Sequence, residues 1–377
     1  MMEPFKEPVY VTRPFLPPLS EFSMRLTEIW DNKWLTNDGP VKQRLEEALA
    51  RLHKTTNICL FNNGTQALQI ALQGMNITGE AITTPFTFVA TAHTLYWNKI
   101  RPVFCDIEPK YYTIDPDKIE NLITPQTSAI VAVHVYGFPC HLEKLKHIAQ
   151  KHELYLIYDA AHAFGVNIGG KSIADFGDVS MFSFHATKLY HSFEGGMLVF
   201  KNERLKDTFN YLKNFGFNNF GEVVMPGTNA KMSEIHAAMG LLLLDYIDDI
   251  IVKQKKLTDC YREMLTEIPG VSIYPELPAE VDYNYSYLPV EIHEDEFGMS
   301  RDRLYEALIK YNVFSRPYFY PLVTEYDCYR SVPLGDSLDV AISVSQRILA
   351  LPMYSDLKVD EVYKICEIIK HIHAERF

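Results

Sequence analysis

Short apolar runs alternate with amphipathic helical patterns along residues 40–200, and this alternation constrains the fold more than any other feature of the chain. Several runs are apolar at consecutive positions, which is typical of parallel strands buried on both faces. The predicted strands are Ile58–Phe61, Ala81–Thr84, Pro102–Asp106, Ala129–Val135, Tyr155–Asp159, Val179–Phe184 and Met197–Phe200. Helical spacing of apolar residues marks the segments Thr65–Gly74, Phe88–Trp97 and Leu142–His152. The alternation predicts an α/β domain around a mostly parallel sheet.

The pattern changes after residue 230, and a second structural unit is expected there. Residues 233–268 have the pattern of a long helix that is interrupted only at Gly240. Further strands are predicted at Val271–Tyr274, Tyr285–Ile292 and Val313–Tyr318, and further helices at Arg301–Tyr311 and Val359–His373. We expect a large α/β domain over residues 1–240, then a linking helix and a small α+β domain over residues 241–377. The segment 316–355 is expected to lie over the cleft between them.

Composition excludes several classes of protein. Hydrophobic residues make up 47% and charged residues 22% of the 377, which is ordinary for a globular chain and excludes a disordered one. The net charge of −12, without a cluster of Lys and Arg, argues against a nucleic-acid partner. The six cysteines form no CxxC pair, so no metal site or disulfide framework is expected. No signal core and no uninterrupted apolar span is present, which predicts a cytoplasmic protein without membrane contact.

Three places along the chain carry residues suited to chemistry. Asn62-Asn63-Gly64-Thr65 follows a predicted strand and opens a helix, where free N–H groups favour a phosphate, although a plain capped turn would look the same. Asp159 ends an apolar strand, at the edge where α/β sheets bind ligands, or it caps the next turn. Lys188 lies between two apolar strands, where burial would lower its pKa and give a nucleophilic amine, although a lone lysine is more often an ordinary solvated loop residue.

Taken together, the three features match the needs of one cofactor. Pyridoxal 5′-phosphate requires a nest of N–H groups for its phosphate, an acid for its ring nitrogen and a lysine for its aldehyde carbon. Asp159 and Lys188 are 29 residues apart, which suits neighbouring parts of one sheet. We therefore predict a pyridoxal phosphate enzyme.

The sequence resembles the DegT/StrS-type nucleotide-sugar aminotransferases, which have the fold-type I scaffold of aspartate aminotransferase. The resemblance extends over nearly the whole chain. The motifs that carry it are NNGTQAL at 62–68, TTPFTFVAT at 83–91, PVFCDIEP at 102–109, VHVYG at 133–137, DAAHAFG at 159–165, FSFHATK at 182–188, EGG at 194–196 and TNAKMSEIHAAMG at 228–240. It implies a seven-stranded, mostly parallel cofactor domain with a small C-terminal α+β domain.

The resemblance also implies roles for individual residues. Lys188 would join the cofactor and then carry the proton, and Asp159 would pair with the pyridine nitrogen. Gly64, Thr65 and Ser183 would hold the phosphate. Phe88 would cover the ring and His162 would lie near its 3′-oxygen. Asn229 would reach the phosphate of the neighbouring subunit's cofactor, so the active unit would be a homodimer with shared sites. Pyridoxamine 5′-phosphate would be the aminated form of the cofactor.

Finer features concern the substrate. His162 and Lys231 replace the commoner Gln and Arg of the family, which affects sugar specificity rather than the cofactor. Lys188 favours transamination over dehydration, because related sugar dehydratases have histidine there. The N-terminal segment and FSRPYFYPL resemble the members that aminate C4 of dTDP-4-keto-6-deoxyglucose with L-glutamate, giving an amino sugar for O-antigen or another surface glycan. The substrate contacts that this resemblance implies are Thr36, Asn37, Arg316 and Tyr318.

Several other functions stay open from the sequence. The chain could act on C3 of a dTDP-3-keto sugar or on a UDP-linked 4-keto sugar. A sugar dehydratase and a regulatory protein that kept this fold without its catalysis are further alternatives. A dinucleotide-dependent dehydrogenase is disfavoured, because no GxGxxG motif follows an early strand.

Overall fold

The computed structural model describes residues 2–375, and helices and strands alternate through most of this range. The strands are β1 Val9–Tyr10, β2 Ile58–Phe61, β3 Glu80–Thr83, β4 Arg101–Phe104, β5 Thr127–Val133, β6 Tyr155–Asp159, β7 Asn167–Ile168, β8 Lys171–Ser172, β9 Val179–Ser183, β10 Gly196–Phe200, β11 Val271–Ile273, β12 Val281–Asp282, β13 Leu288–Ile292, β14 Val313–Phe314 and β15 Ile348–Leu351. The α-helices are α1 Leu19–Asn32, α2 Pro40–Leu52, α3 Gly64–Gly74, α4 Ala90–Trp97, α5 Pro116–Ile119, α6 Leu142–Lys151, α7 Leu205–Leu212, α8 Glu234–Leu243, α9 Ile247–Leu265, α10 Glu294–Phe297, α11 Arg301–Ile309, α12 Asp339–Arg347 and α13 Val359–Ala374.

A seven-stranded sheet forms the centre of the larger part of the molecule. Its strand order is β2-β10-β9-β6-β5-β3-β4. The neighbours from β9 to β4 pair in parallel, whereas β10 runs antiparallel to both β2 and β9. The seven strands that the apolar runs predicted are all present, most with ends shifted by one or two residues.

Both faces of this sheet are buried, which explains why its strands are continuously apolar. In β3, Ala81 faces one hydrophobic core and the adjacent Ile82 faces another. The first core includes Ala67 and Leu68 of α3, and the second includes Leu145 of α6. Successive side chains of a strand point to opposite faces, so helices on both sides require apolar residues at every position.

The C-terminal part contains a second, antiparallel sheet of order β11-β13-β15. Strand β1 pairs in parallel with β14, so the N-terminal segment is attached to this part of the chain. Strand β14 spans two residues, whereas the prediction extended it to Tyr318. The domain boundary at residues 240 and 241 stays a prediction.

One helix prediction is wrong. The helical segment after Ser233 passes straight through Gly240 and breaks instead at a 3₁₀ turn over Leu244–Tyr246, between α8 and α9. Gly240 has a packing role, because the Tyr190 hydroxyl donates to its carbonyl at 2.9 Å and lies 3.0 Å from where a Cβ would stand.

Residues 2–375 lack two features. No helix there is both long and apolar enough to cross a bilayer. Nor do His, Cys, Asp and Glu side chains of that range gather in a group of three or more that could hold a metal ion.

Candidate active site

A cavity of about 300 Å³ opens where β6 and β9 end and α3 begins. Its volume lies at the lower end of the range of cofactor pockets, about 300–1,000 Å³. The residues that line it are Asn63, Gly64, Thr65, Thr87, Phe88, Ala90, Val133, Asp159, Ala161, His162, Met181, Ser183, His185, Thr187, Lys188, Glu194, Tyr287, Tyr318 and Phe319. The cavity therefore brings together eight of the twelve predicted site residues: Gly64, Thr65, Phe88, Asp159, His162, Ser183, Lys188 and Tyr318.

The first turn of α3 forms a cradle suited to an anion. Asn63 caps the helix, its side chain accepting from the Gln66 N–H at 2.8 Å. The N–H groups of Gly64 and Thr65 have no acceptor within the helix, as at any helix start. A Cβ on Gly64 would lie 3.0 Å from Ser183, so glycine lets the helix end approach the end of β9 closely. Gly64, Thr65 and Ser183 therefore line the same part of the cavity.

Asp159 is a buried carboxylate at the end of β6. Its Oδ2 accepts from the Thr91 hydroxyl at 2.7 Å and its Oδ1 from the Ala161 N–H at 3.1 Å. Burial raises the pKa of the carboxyl, while these two hydrogen bonds and the nearby Lys188 oppose that shift. A cationic ring nitrogen placed beside it would favour the ionised form.

Lys188 lies on the loop between β9 and β10, with its side chain in the cavity. Its Nζ donates to the Tyr287 hydroxyl over 3.5 Å. Burial lowers the pKa of the amine to about 8, and the Asp159 carboxylate only partly offsets this effect. A lysine in this setting has a much larger neutral, nucleophilic fraction near neutral pH than an exposed lysine.

The protonation of Lys188 gives a direct prediction for the cofactor-free protein. Only the neutral amine reacts with an aldehyde, so reductive methylation of Lys188 should rise with pH to a midpoint near 8 and then level off. An unfolded control should instead have its midpoint near the ordinary lysine value of about 10.4. Peptide mass spectrometry of protein pulsed with formaldehyde and cyanoborohydride measures both midpoints. A midpoint above 10 in the folded protein would contradict the burial argument.

His162 is held in one tautomer. The Tyr136 N–H donates to its Nδ1 at 2.9 Å, so in the neutral ring the proton is on Nε2. Burial lowers the pKa of His162 well below its ordinary value, with Lys188 adding to the shift, so the ring is neutral. His162 therefore offers an N–H donor at Nε2.

Aromatic rings form the remaining walls of the cavity. The Phe319 ring lies nearly parallel to that of His162, with centroids 6.1 Å apart, and Tyr287 lies 4.6 Å from the same imidazole. Phe88 is exposed and lies at the cavity wall, where a flat apolar ring can cover a planar ligand.

Four predicted residues lie outside this cavity. Thr36, Asn37, Asn229 and Arg316 are all exposed in the single chain. Asn37 lines a different cavity, which also contains Lys42, Lys213 and Lys231. The Asn229 carbonyl accepts from the Asn62 side-chain nitrogen at 3.5 Å, and Asn62 directly precedes Asn63 of the cavity wall. Their roles stay predictions.

Sequence reasoning missed two residues that contact the predicted pair. Thr91 binds Asp159, and the signal for it was present in the TTPFTFVAT motif, which Thr91 ends. Tyr287 contacts Lys188 from a segment 99 residues away, and no local pattern distinguishes it from the other tyrosines of residues 283–287.

The sequence is similar to known aminotransferases. The family model described as the DegT/DnrJ/EryC1/StrS aminotransferase family matches residues 19–370. A dTDP-4-amino-4,6-dideoxy-D-glucose transaminase of Escherichia coli is 46% identical, over 95% of this chain and 97% of its own length. The transaminase of the same name from Shigella dysenteriae is 44% identical, over 97% of this chain and 100% of its own length.

Solved structures show the same fold. The crystal structure of DesI in the presence of its TDP-sugar product has a TM-score of 0.93 and 36% identity, covering 99% of this chain and 94% of DesI. The predicted fold-type I architecture is thereby confirmed. The chain belongs to the DegT/DnrJ/EryC1/StrS aminotransferase family and is an enzyme of the transaminase class.

Proposed function

We propose that this enzyme transfers the amino group of L-glutamate to C4 of dTDP-4-keto-6-deoxy-D-glucose, with pyridoxal 5′-phosphate as cofactor. The observation that carries the proposal is the convergence of Lys188, Asp159 and the Gly64–Thr65 amides in one cavity. The names of the relatives at 44–46% identity support the choice of sugar and of dTDP. The product would be a precursor of a surface glycan such as an O-antigen.

The residues present fit this cofactor. Gly64, Thr65 and Ser183 line the cavity at the start of α3, where backbone N–H groups can donate to a phosphate, and a Cβ on Gly196 would meet the Asn63 backbone at 2.5 Å. Asp159 has hydrogen bonds from two neutral donors and can accept one from a protonated ring nitrogen. Phe88 offers a ring that can cover the face of the cofactor ring. His162 offers an N–H donor for the 3′-oxygen of the cofactor.

The side chains of this chain can perform both half-reactions. When bound, pyridoxal phosphate supplies an aldehyde for the amino group and a ring that accepts the electron pair released at the reacting carbon. Neutral Lys188 would take the proton from Cα of glutamate at its Nζ, the amino nitrogen would pass to the cofactor, and water would supply the keto oxygen of the 2-oxoglutarate that leaves. In the second half-reaction the nitrogen would pass to C4 of the sugar, the sugar's keto oxygen would leave as water, and the same Nζ would deliver a proton to C4. Asp159 stays ionised throughout and stabilises positive charge on the ring nitrogen.

Substrate competition tests the proposed function. The enzyme should prefer dTDP-4-keto-6-deoxyglucose over dTDP-3-keto-6-deoxyglucose and over a UDP-linked 4-keto sugar by about tenfold or more in kcat/KM, since one specific contact contributes about 1–3 kcal/mol. Each sugar is assayed with glutamate and the product is identified by NMR. Equal or better turnover of either competitor would refute the assignment of C4 or of dTDP.

We further propose a homodimer in which Asn229 completes the partner's site. Asn229 is exposed and does not line the cavity of its own chain. Large apolar side chains are exposed on the same chain at Trp30, Trp34 and Phe220, which favours a covering partner.

Mixed dimers test this arrangement. Lys188→Ala and Asn229→Asp should each be inactive alone, because Asp would place a negative charge beside a phosphate. Random reassociation of the two should restore about a quarter of wild-type activity, since half of the dimers are mixed and each has one intact site. Failure to recover activity while mass spectrometry shows mixed dimers would exclude shared sites.

A further inference from the structure

The hydrogen bond between Lys188 and Tyr287 has no part in the mechanism above. Tyr287 is 5% exposed, and its hydroxyl lies at the cavity wall, 3.5 Å from the Lys188 Nζ. Among residues 2–375, Tyr287 is the side-chain hydrogen-bond partner of the Lys188 Nζ.

The phenol ring is fixed from several sides. Tyr287 directly precedes β13, the central strand of the antiparallel sheet. Its ring centroid lies 4.6 Å from that of His162, 5.9 Å from that of Tyr136 and 6.4 Å from that of Tyr318. The direction of its hydroxyl is therefore set by the surrounding rings and by the sheet, rather than by Lys188.

A phenol can hydrogen-bond to an amine in both of its charge states. Its oxygen can accept from an ammonium group, and its O–H can donate to a neutral amine. Burial raises the pKa of Tyr287, so the phenol stays neutral over the range in which Lys188 titrates. A carboxylate in the same place would favour the ammonium form and reduce the fraction of neutral amine.

We propose that Tyr287 is a positioning residue whose hydroxyl holds the free Lys188 amine in the cavity while that amine moves protons. This role rests on the proposed function, because it is the position of the Lys188 amine during proton transfer that Tyr287 would fix. It also links the C-terminal sheet to the chemistry, since Tyr287 lies next to β13 and Lys188 lies on the loop that follows β9.

The test compares Tyr287→Phe with Tyr283→Phe. Tyr283 is a matched control, since it lies in the same segment, is equally buried, and its hydroxyl donates to the Tyr136 carbonyl at 2.9 Å. In the glutamate half-reaction Tyr287→Phe should lower the rate by about three- to tenfold, the usual effect of one neutral hydrogen bond. KM for glutamate should not change, and the isotope effect with α-deuterated glutamate should increase. Tyr283→Phe should show neither change.

A second readout does not depend on the reaction with glutamate. In the cofactor-free protein, Tyr287→Phe should shift the pH midpoint of Lys188 reductive methylation downwards by about 0.5, because the hydroxyl no longer accepts from the ammonium form. The other titratable groups of the cavity, Asp159, His162, His185, Glu194 and Tyr318, are unchanged in this variant. An unchanged midpoint, or an equal shift in Tyr283→Phe, would overturn the proposal. If wild-type enzyme takes no amino group from glutamate, the proposed function fails, while this labelling still decides the role of Tyr287.

Discussion

Replacing Lys188 with alanine should lower turnover by about 10³-fold or more, because general acid–base catalysis by one group contributes about 10²–10⁴-fold. The variant loses the amine that we propose both joins the cofactor and moves the proton. Steady-state assays with glutamate and the keto sugar measure the loss. The yellow colour of the lysine-bound cofactor should disappear as well.

Two controls separate this effect from general damage. Lys171→Ala removes an exposed lysine from β8 of the β7–β8 hairpin and should retain wild-type turnover. Added methylamine should restore part of the activity of Lys188→Ala, because a small amine can enter the space and carry the proton. Turnover of Lys188→Ala within tenfold of the wild type would remove Lys188 from the centre of the site.

Replacing Asp159 with asparagine should lower turnover by about 10²–10⁴-fold. Removing one member of a buried charge pair costs about 3–5 kcal/mol, and each 1.36 kcal/mol is a factor of ten in rate. The charged partner here is the ring nitrogen of the proposed cofactor. The fold should survive, since burial already disfavours the charged form of this carboxyl and asparagine still accepts from the Thr91 hydroxyl. Turnover and thermal unfolding of the cofactor-free variant check both statements.

Thr91→Val is the matched comparison for Asp159→Asn. It removes the 2.7 Å hydrogen bond to the same carboxylate and leaves the charge in place. Hydrogen bonds to charged groups contribute about 1.5 kcal/mol or more, so we expect a loss of about tenfold. If Thr91→Val were as damaging as Asp159→Asn, orientation of the carboxylate would matter more than its charge.

The central sheet could be predicted because strands buried on both faces require apolar residues at consecutive positions. Ala81 and Ile82 enter different cores, and such neighbours produce the continuous apolar runs. Strand order could not be predicted in the same way. Strand β10 lies between β2 and β9, more than 130 residues after β2, and such pairing leaves no local periodicity.

The break in the long helix shows a limit of reasoning from residue propensities. Glycine is unfavourable in a helix by about 1 kcal/mol, which made Gly240 the expected interruption. The close approach of the Tyr190 hydroxyl gives Gly240 a packing role inside α8. The actual break, at Leu244–Tyr246, has no glycine or proline to mark it.

Some residues of the candidate site could also be predicted from local sequence, whereas others could not. Gly64, Asp159 and Lys188 could be predicted because Gly64 opens the helix after β2, Asp159 ends β6 and Lys188 follows β9, and such positions lie at the ligand edge of an α/β sheet. Tyr287 and Phe319 reach the same cavity from the C-terminal part of the chain, and only tertiary packing brings them there. Arg316 was predicted beside them, but it is exposed and outside the cavity of the single chain.

Transfer of labelled nitrogen tests the central claim most directly. The purified enzyme is incubated with pyridoxal phosphate, ¹⁵N-glutamate and dTDP-4-keto-6-deoxyglucose, and the product is examined by ¹H–¹⁵N correlation NMR. We predict ¹⁵N bound to C4 of the sugar with an equal amount of 2-oxoglutarate, and no labelled sugar from Lys188→Ala. Absence of ¹⁵N from the sugar, or ¹⁵N at C3, would contradict the account.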